Sequence, residues 1–174
     1  MPSRDPLRAL LEAAVEGDDW ALSELVRRTQ PAVWRLCSAL GSSGEEEDLV
    51  QDVYLRALAA LPSYRGEAAV QNWLLSIARR VCADHVRRRQ RQRRLMGRLI
   101  DNEAATGHAP RMSPDELIAE LEPDKRAAFV LTQVLGLTYE EAAEVLECPI
   151  GTIRSRVARA RGDLLTLVRQ AEAR

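Results

Sequence analysis

Helix-forming residues dominate this sequence, and the alternating runs of β-branched residues that mark strands do not occur. Apolar residues recur instead at helical spacing, as in the segment from Leu49 to Leu61. The pattern predicts an all-α protein. With 46% of its residues apolar and 29% charged, the chain has the composition of a globular protein that can bury real cores.

Punctuating residues divide the first part of the chain into helices. A first helix is predicted from Pro6, which suits a first helical turn, to about Gly17, and Asp18 or Asp19 can cap the second. Pro31 is expected to kink or split this second helix, because proline removes a hydrogen bond from the helix interior.

A third helix is predicted between a capping box and a proline. Ser43 and Glu46 have the spacing of that box, and Pro62 ends the helix. A long helix follows over about 69–94, with a distal half that is nearly all arginine and glutamine.

Helical periodicity lapses between 96 and 114, where glycines and prolines punctuate small and polar residues. We therefore expect two small helical domains, 1–95 and 115–174, joined by a flexible linker over 96–114. Helices in the second domain are predicted at about 114–121, 123–135, 139–146 and 150–169.

The segment LTYEEAAEVLECPIGTIRSRVARARGDLL is typical of a helix-turn-helix. Thr138 and Glu141 form a capping box, and Cys148 with Pro149 makes the turn. A helix of this kind fits the DNA major groove, where arginine pairs with guanine, although a solvated helical face is the simpler alternative. The positions predicted to face outward on the second helix are Thr152, Arg154, Ser155, Arg156, Ala158, Arg159 and Arg161.

Charge is distributed unevenly, although the net charge is only -1. Nine arginines and one acidic residue lie between Arg79 and Arg98, whereas residues 45–48 are four consecutive acids. The arginines favour contact with phosphates and guanine edges. Acids at the start of a predicted helix stabilise its N-terminus through the helix macrodipole.

Other function classes find little support. The longest uncharged run, Ala127 to Tyr139, is too short to cross a bilayer, and the N-terminus lacks the features of a signal peptide, so we expect a cytoplasmic protein without membrane insertion. No P-loop, dinucleotide fingerprint or nucleophile elbow occurs, and His85 and His108 lack catalytic partners, so we expect no enzyme and no cofactor.

The three cysteines are predicted to be buried free thiols. A zinc site at Cys82 and His85 is the alternative.

Three motifs together resemble the extracytoplasmic-function (ECF) class of the sigma-70 family. EEEDLVQDVYLRAL resembles its region 2.2, SYRGEAAVQNWLLSIARRVCADHVRRR its regions 2.3 and 2.4, and GLTYEEAAEVLECPIGTIRSRVARAR its region 4. The motifs occur in the family's order and cover most of the chain from about Asp19 to Leu165. The resemblance implies a sigma factor that binds core RNA polymerase and directs promoter recognition.

The resemblance also assigns residues to each task. It implies that the region 2.2 helix docks on the clamp helices of the polymerase β′ subunit through Asp48, Leu49, Gln51, Asp52, Leu55 and Arg56. In region 4, Arg154, Ser155, Ala158 and Arg159 match positions that face the minus-35 element. Arg156 and Arg161 would hold phosphates or neighbouring helices, and Thr152 lies at the helix N-terminus, which suits a phosphate.

For the minus-10 element, the family uses the loop corresponding to 63–72 to hold a base that is flipped from the duplex. The residues assigned to this element are Tyr64, Arg65, Asn72, Arg79, Arg80, Asp84, Arg87 and Arg88. Arg80 departs from the family pattern, in which asparagine is common, so promoter preference is expected to depart as well.

Further partners follow from the same resemblance. It implies contact with the polymerase β flap and, as a hypothesis, an anti-sigma protein wedged between the two domains. One alternative keeps DNA binding without the polymerase: a helix-turn-helix transcriptional regulator with an unrelated N-terminal domain.

Overall fold

The computed structural model describes residues 5–96 and 113–172, and within these ranges it contains eight α-helices and no strand. The all-α prediction is confirmed. Most of the predicted linker lies outside the described residues. The helices are α1 (Arg8–Val15), α2 (Asp19–Leu40), α3 (Glu46–Ala60), α4 (Val70–Met96), α5 (Pro114–Ala119), α6 (Pro123–Phe129), α7 (Tyr139–Leu146) and α8 (Ile150–Glu172), with a 3-10 turn at Leu61–Ser63 and a π-helix at Val130–Val134.

Helix α2 begins as predicted but is not split. The Asp18 side chain accepts hydrogen bonds from the backbone N-H groups of Trp20 and Ala21, at 2.9 and 3.0 Å. The helix then continues for 22 residues through Pro31. Of the predicted kink or split, the split does not occur, because Pro31 lies on the exposed side, where the carbonyl left without a donor can bind water instead.

The start of α3 differs from the predicted capping box. Glu45, not Ser43, precedes the helix, and no side chain caps it. Gly44, with φ of 84°, turns the chain just before the helix. The Glu45 carboxylate points across to α4, with 2.5 Å to His85 Nε2 and 3.1 Å to Arg89 Nη1. The acidic run therefore joins α3 to α4 at this position.

Helices α2, α3 and α4 share a buried core, in which Leu36, Val53 and Leu75 are fully enclosed. Cys37 and Cys82 are also buried there, as predicted, and their thiols are in contact; a hydrogen bond from Cys82 together with burial raises the pKa of Cys37. Since Cys82 points into the core while His85 pairs with Glu45, the two do not form a zinc site. Within 5–96 and 113–172, no three potential ligands come together to hold a metal.

The helix-turn-helix forms as predicted. The Thr138 hydroxyl accepts from the Glu141 N-H at 3.1 Å, and the Glu141 carboxylate accepts from the Thr138 N-H at 2.8 Å. Glu147 ends α7 in the left-handed conformation, and Cys148 and Pro149 complete the turn. Buried Ile153 and Val157 then hold α8 against its neighbours.

The two helical units pack against each other. Helix α4 contacts α7, and α2 contacts both α5 and α6. Arg126 donates to the Ala39 carbonyl of α2 at 3.2 Å, and Arg80 of α4 pairs with Glu147 at the end of α7. The buried side chains of both units form one continuous apolar cluster.

Candidate nucleic-acid and protein-docking surfaces

Helix α8 presents a continuous basic surface on the side opposite its buried stripe. Ile153 and Val157 are buried and fix the rotation of the helix. Because side chains at helical spacing share a face, this rotation turns the remaining positions toward solvent together. The exposed residues on that face are Arg154, Ser155, Ala158 and Arg159.

Two other arginines of α8 contact neighbouring helices. The half-buried Arg156 donates to the Asp124 carboxylate and lies 3.6 Å from the Cys148 sulfur. Arg161 donates to the Gln133 side chain at 2.7 Å. Thr152 is half-buried in the first turn of α8. These contacts separate Arg156 and Arg161 from the four residues whose side chains are open to a ligand.

The arginines of α4 differ from one another in their surroundings. Arg80 is exposed but paired with Glu147, whose pKa is lowered by the hydrogen bond from Arg80. Arg79 is half-buried, and Arg87 and Arg88 are exposed. Beyond them every position from 90 to 95 is exposed, so this end of α4 presents positive charge around its circumference.

Asp84 connects α4 to α3. Its carboxylate accepts from Arg56 Nη1 at 3.1 Å and lies 3.7 Å from Arg87 Nη2, and the hydrogen bond from Arg56 lowers its pKa. Arg56 also pairs with Asp52 at 2.9 Å. Asp84 thus holds α3 and α4 together. The sequence did not indicate this contact, and the family resemblance had assigned Asp84 to DNA.

The loop before α4 offers less polar surface than the sequence suggested. Asn72 is only 6% exposed. The Tyr64 hydroxyl donates to the Ala68 carbonyl at 2.5 Å, and its ring centroid lies 5.1 Å from that of Trp73. Burial is the main cause that raises the pKa of Tyr64. Arg65 remains exposed, together with Ser63 and Glu67, so the loop keeps polar surface while Tyr64 and Asn72 are turned inward.

Helix α3 carries a mixed acidic and apolar face. Asp48, Gln51, Asp52 and Leu55 follow the i, i+3, i+4, i+7 spacing of one helical side and are exposed or half-exposed. Leu55 is 59% exposed, although leucine is usually buried. Leu49, by contrast, is buried among the core residues.

Sequence reasoning missed one member of this α3 face. Leu58 is 41% exposed and lies one turn beyond Leu55. At helical spacing both leucines fall on the side of α3 that carries Asp48 and Gln51, away from the buried Val53 and Ala57, so the spacing itself could have identified Leu58. Within the described ranges, no helix is both long and apolar enough to cross a membrane.

Comparisons with known proteins match both halves of the chain. The model of Sigma-70 region 2 matches residues 25–92, and that of Sigma-70, region 4, matches residues 113–164. The chain is 43% identical over 167 residues to the ECF RNA polymerase sigma factor SigC of Mycobacterium tuberculosis, across 92% of this chain and 90% of that protein. It is 33% identical over 171 residues to the ECF RNA polymerase sigma-E factor of Escherichia coli K12, across 88% and 90%.

Solved structures agree with these matches. The sigma factor RpoE of Bartonella quintana, solved with the anti-sigma factor NepR, superposes with a TM-score of 0.71 at 29% identity, covering 85% of this chain and 96% of that one. CnrH, solved with the cytosolic domain of CnrY, gives 0.73 at 26% identity, covering 94% and 97%. The similarity therefore extends over both helical units.

Proposed function

Because the chain belongs to the ECF class of the sigma-70 family, and is thus an RNA polymerase sigma factor, we propose that three helices divide its work. Helix α3 docks on core RNA polymerase, α4 with its preceding loop contacts the minus-10 element, and α8 reads the minus-35 element. A regulator without polymerase is not favoured, since the region 2 match covers 25–92. The role is binding rather than catalysis, in the cytoplasm where transcription takes place.

The observation that carries the proposal is the exposed apolar pair Leu55 and Leu58 beside acidic residues on α3. Exposed apolar residues grouped on one face mark protein interaction sites more often than scattered single ones do. The surrounding Asp48 and Asp52 would steer a basic partner. We assign Asp48, Gln51, Asp52 and Leu55 to the β′ clamp helices, Arg56 to their support, and Leu49 to the core.

Helix α8 supports minus-35 reading through Arg154, Ser155, Ala158 and Arg159, which face solvent together. Such a helix enters the major groove, and arginine there pairs with guanine. The β flap is the proposed polymerase contact of the region 4 unit, 115–174. The region 2 unit, 1–95, carries the minus-10 assignments: we assign contact with DNA to Arg65, Arg79, Arg80, Arg87 and Arg88. Tyr64, Asn72 and Asp84, whose side chains are engaged within the unit, are assigned to supporting them.

An anti-sigma partner is proposed because the sigma factor RpoE, which this chain resembles over both units, was solved with the anti-sigma factor NepR. A cleft of about 610 Å³ between the two units fits a helical wedge. Its walls include Trp34 and Ala39 of α2, Ile118 of α5, and Val134.

Pull-down by purified core RNA polymerase tests the docking assignment. Leu55→Ala and Asp48→Ala should each reduce retention of the chain, because each removes part of the α3 face. Leu95→Ala is the matched control, since Leu95 is 70% exposed on α4, away from that face. Equal retention of Leu55→Ala, Asp48→Ala and wild type would contradict the proposal.

Run-off transcription tests the whole function. Wild type with core polymerase should give promoter-specific transcripts from genomic fragments, and Arg159→Ala should lose those that depend on a minus-35 element. Sequence-specific binding by the isolated chain without any binding to core would favour the regulator instead.

A further inference from the structure

Asp5 joins the start of α1 to the start of α4. Its Oδ1 accepts a hydrogen bond from the Leu7 N-H at 3.0 Å, and its Oδ2 accepts one from the Val70 N-H at 2.6 Å. Asp5 and Val70 lie 65 positions apart in the sequence, so no local pattern indicates this contact. The Sigma-70 region 2 match covers residues 25–92, and it therefore gives Asp5 no role.

Helix α4 has no capping side chain directly before it. The first N-H groups of a helix lack partners within the helix, and a neighbouring serine, threonine, aspartate or asparagine usually accepts from them. Ala69 occupies that position, since its carbonyl accepts from the Trp73 N-H at 2.9 Å, and alanine has no side-chain acceptor. Because Val70 is fully buried, loss of Asp5 would leave the Val70 N-H without a partner, which is costly.

Asp5 is held in place by the packing of α1. Its backbone carbonyl accepts from the Arg8 N-H at 3.1 Å, and both Leu7 and Leu11 are buried in the core. Arg8 also lies over the loop between α3 and α4, since a Cβ added at Gly66 would lie 2.9 Å from Arg8 Nη2. The chain around Asp5 therefore supports this loop from one side.

The loop of residues 64–69 leads directly into the helix that Asp5 caps. Burial raises the pKa of Tyr64 and the negative charge of Asp5 raises it further, so the carboxylate lies near the start of the loop as well as its end. The Tyr64 hydroxyl donates to the Ala68 carbonyl just before α4. If the first turn of α4 lost its cap, the loop would lose a defined end, and ordering it on DNA would reduce the affinity.

We propose that Asp5 is a positioning residue for promoter recognition: by capping α4 from α1, it holds the loop 64–69 in the conformation that meets minus-10 DNA. The proposal rests on the proposed function, which assigns this loop and α4 to the minus-10 element. In this role Asp5 does not contact DNA, because it acts through the backbone of Val70.

Asp18→Ala is the matched control for Asp5→Ala. Asp18 caps α2 with two bonds of the same kind, from the Trp20 and Ala21 N-H groups at 2.9 and 3.0 Å. Each variant therefore removes a carboxylate that accepts two backbone hydrogen bonds at a helix start. Since Asp18 has no bond to α4, the two variants separate a loss of helix capping in general from a loss at α4.

Binding of holoenzyme to two DNAs tests the proposal. Core polymerase carrying each full-length variant is titrated with a fork junction that contains only a single-stranded minus-10 element, and with a duplex that contains only a minus-35 element. Asp5→Ala should weaken binding to the fork junction about ten-fold, the change that corresponds to the loss of one cap, and should leave the duplex unaffected. Asp18→Ala should equal wild type on both. Asp5→Asn should fall between wild type and Asp5→Ala, since an amide keeps one of the two acceptors.

An equal loss for Asp18→Ala on the fork junction would attribute the effect to general stability and overturn the role of Asp5. A loss for Asp5→Ala on both DNAs, or on neither, would also overturn it. A wild-type holoenzyme that does not bind the fork junction would instead contradict the minus-10 assignment of the proposed function, and the role of Asp5 with it.

Discussion

Helices α4 and α8 are both rich in arginine, yet they expose it in different ways. Ile153 and Val157 pack α8 along one side, so its exposed arginines share the opposite face. The distal part of α4, from 90 to 95, is exposed all around. Packing on one side orients side chains well enough to meet particular base edges, whereas charge all around a helix suits phosphates, which look alike in every sequence. The proposed roles therefore assign the same residue type to two kinds of binding.

The largest effect should come from removing the packing that orients α8. Ile153→Ala should lower the free energy of unfolding by about 2 to 5 kcal/mol, because it leaves a cavity in a fully buried site. Leu95→Ala, on exposed α4, should change it by less than about 0.5 kcal/mol. Urea denaturation followed by circular dichroism measures both. Similar losses in the free energy of unfolding for the two variants would contradict the difference in packing between α8 and the end of α4.

The next largest effects should come from replacing single arginines, because base contacts by α8 and phosphate contacts by α4 respond differently to a change of DNA sequence. Arg159→Ala should weaken binding of holoenzyme to its preferred minus-35 sequence by about 1 to 3 kcal/mol and leave a mismatched sequence nearly unaffected. Arg91→Ala on α4 should weaken both DNAs alike. Fluorescence anisotropy at one fixed salt concentration gives the comparison, and a uniform loss for Arg159→Ala would place it on the phosphate backbone.

The salt dependence of binding should change less, but in a way specific to α4. Arg91→Gln should reduce the slope of log K against log salt concentration by about 0.9, since one counterion-releasing phosphate contact is lost. The exposed Arg27, in its ion pair on α2, is the control position, and Arg27→Gln should leave the slope as it is. An unchanged slope for Arg91→Gln would mean that this end of α4 does not touch DNA.

The smallest effect concerns the packed part of α4, where Arg56 lowers the pKa of Asp84. A carboxyl whose folded pKa is lowered stabilises the fold above its unfolded pKa, near 3.9, and that contribution disappears as pH falls through the folded pKa. Asp84→Asn should therefore melt slightly below wild type at about pH 7, and the difference should vanish as the pH falls through the folded pKa of Asp84. A difference that persists in acid would show that the ion pair is not its source.

Local chemistry made the helix-turn-helix predictable. The capping box of Thr138 and Glu141 acts over three residues, so its spacing can be read directly. The capping box at Ser43 failed where surroundings override local rules, since Glu45 precedes α3 and pairs with α4. Pro31 likewise does not split α2, because it faces solvent.

Contacts between distant residues could not be predicted. Arg80 and Glu147 are 67 positions apart, and nothing in the pattern around either one indicates the other. Burial of Leu49 and Asn72, both assigned to binding by resemblance, depends on how α3 and α4 rotate within the core. A family motif indicates which positions lie near a partner, but the packing decides which side chains reach it.

The contact between α4 and α7 holds the two helical units close together. The minus-35 and minus-10 elements are separated by about 25 base pairs, roughly 85 Å at about 3.4 Å per base pair. A compact chain of this size has a radius of gyration of about 16 Å and spans roughly 40 Å. To bridge both elements as proposed, α7 must leave α4. The exposed Arg80 and Glu147 pair contributes at most about 1 kcal/mol against that separation, so the apolar cluster shared by the two units is the larger contact that polymerase binding must replace in stretching the protein along a promoter.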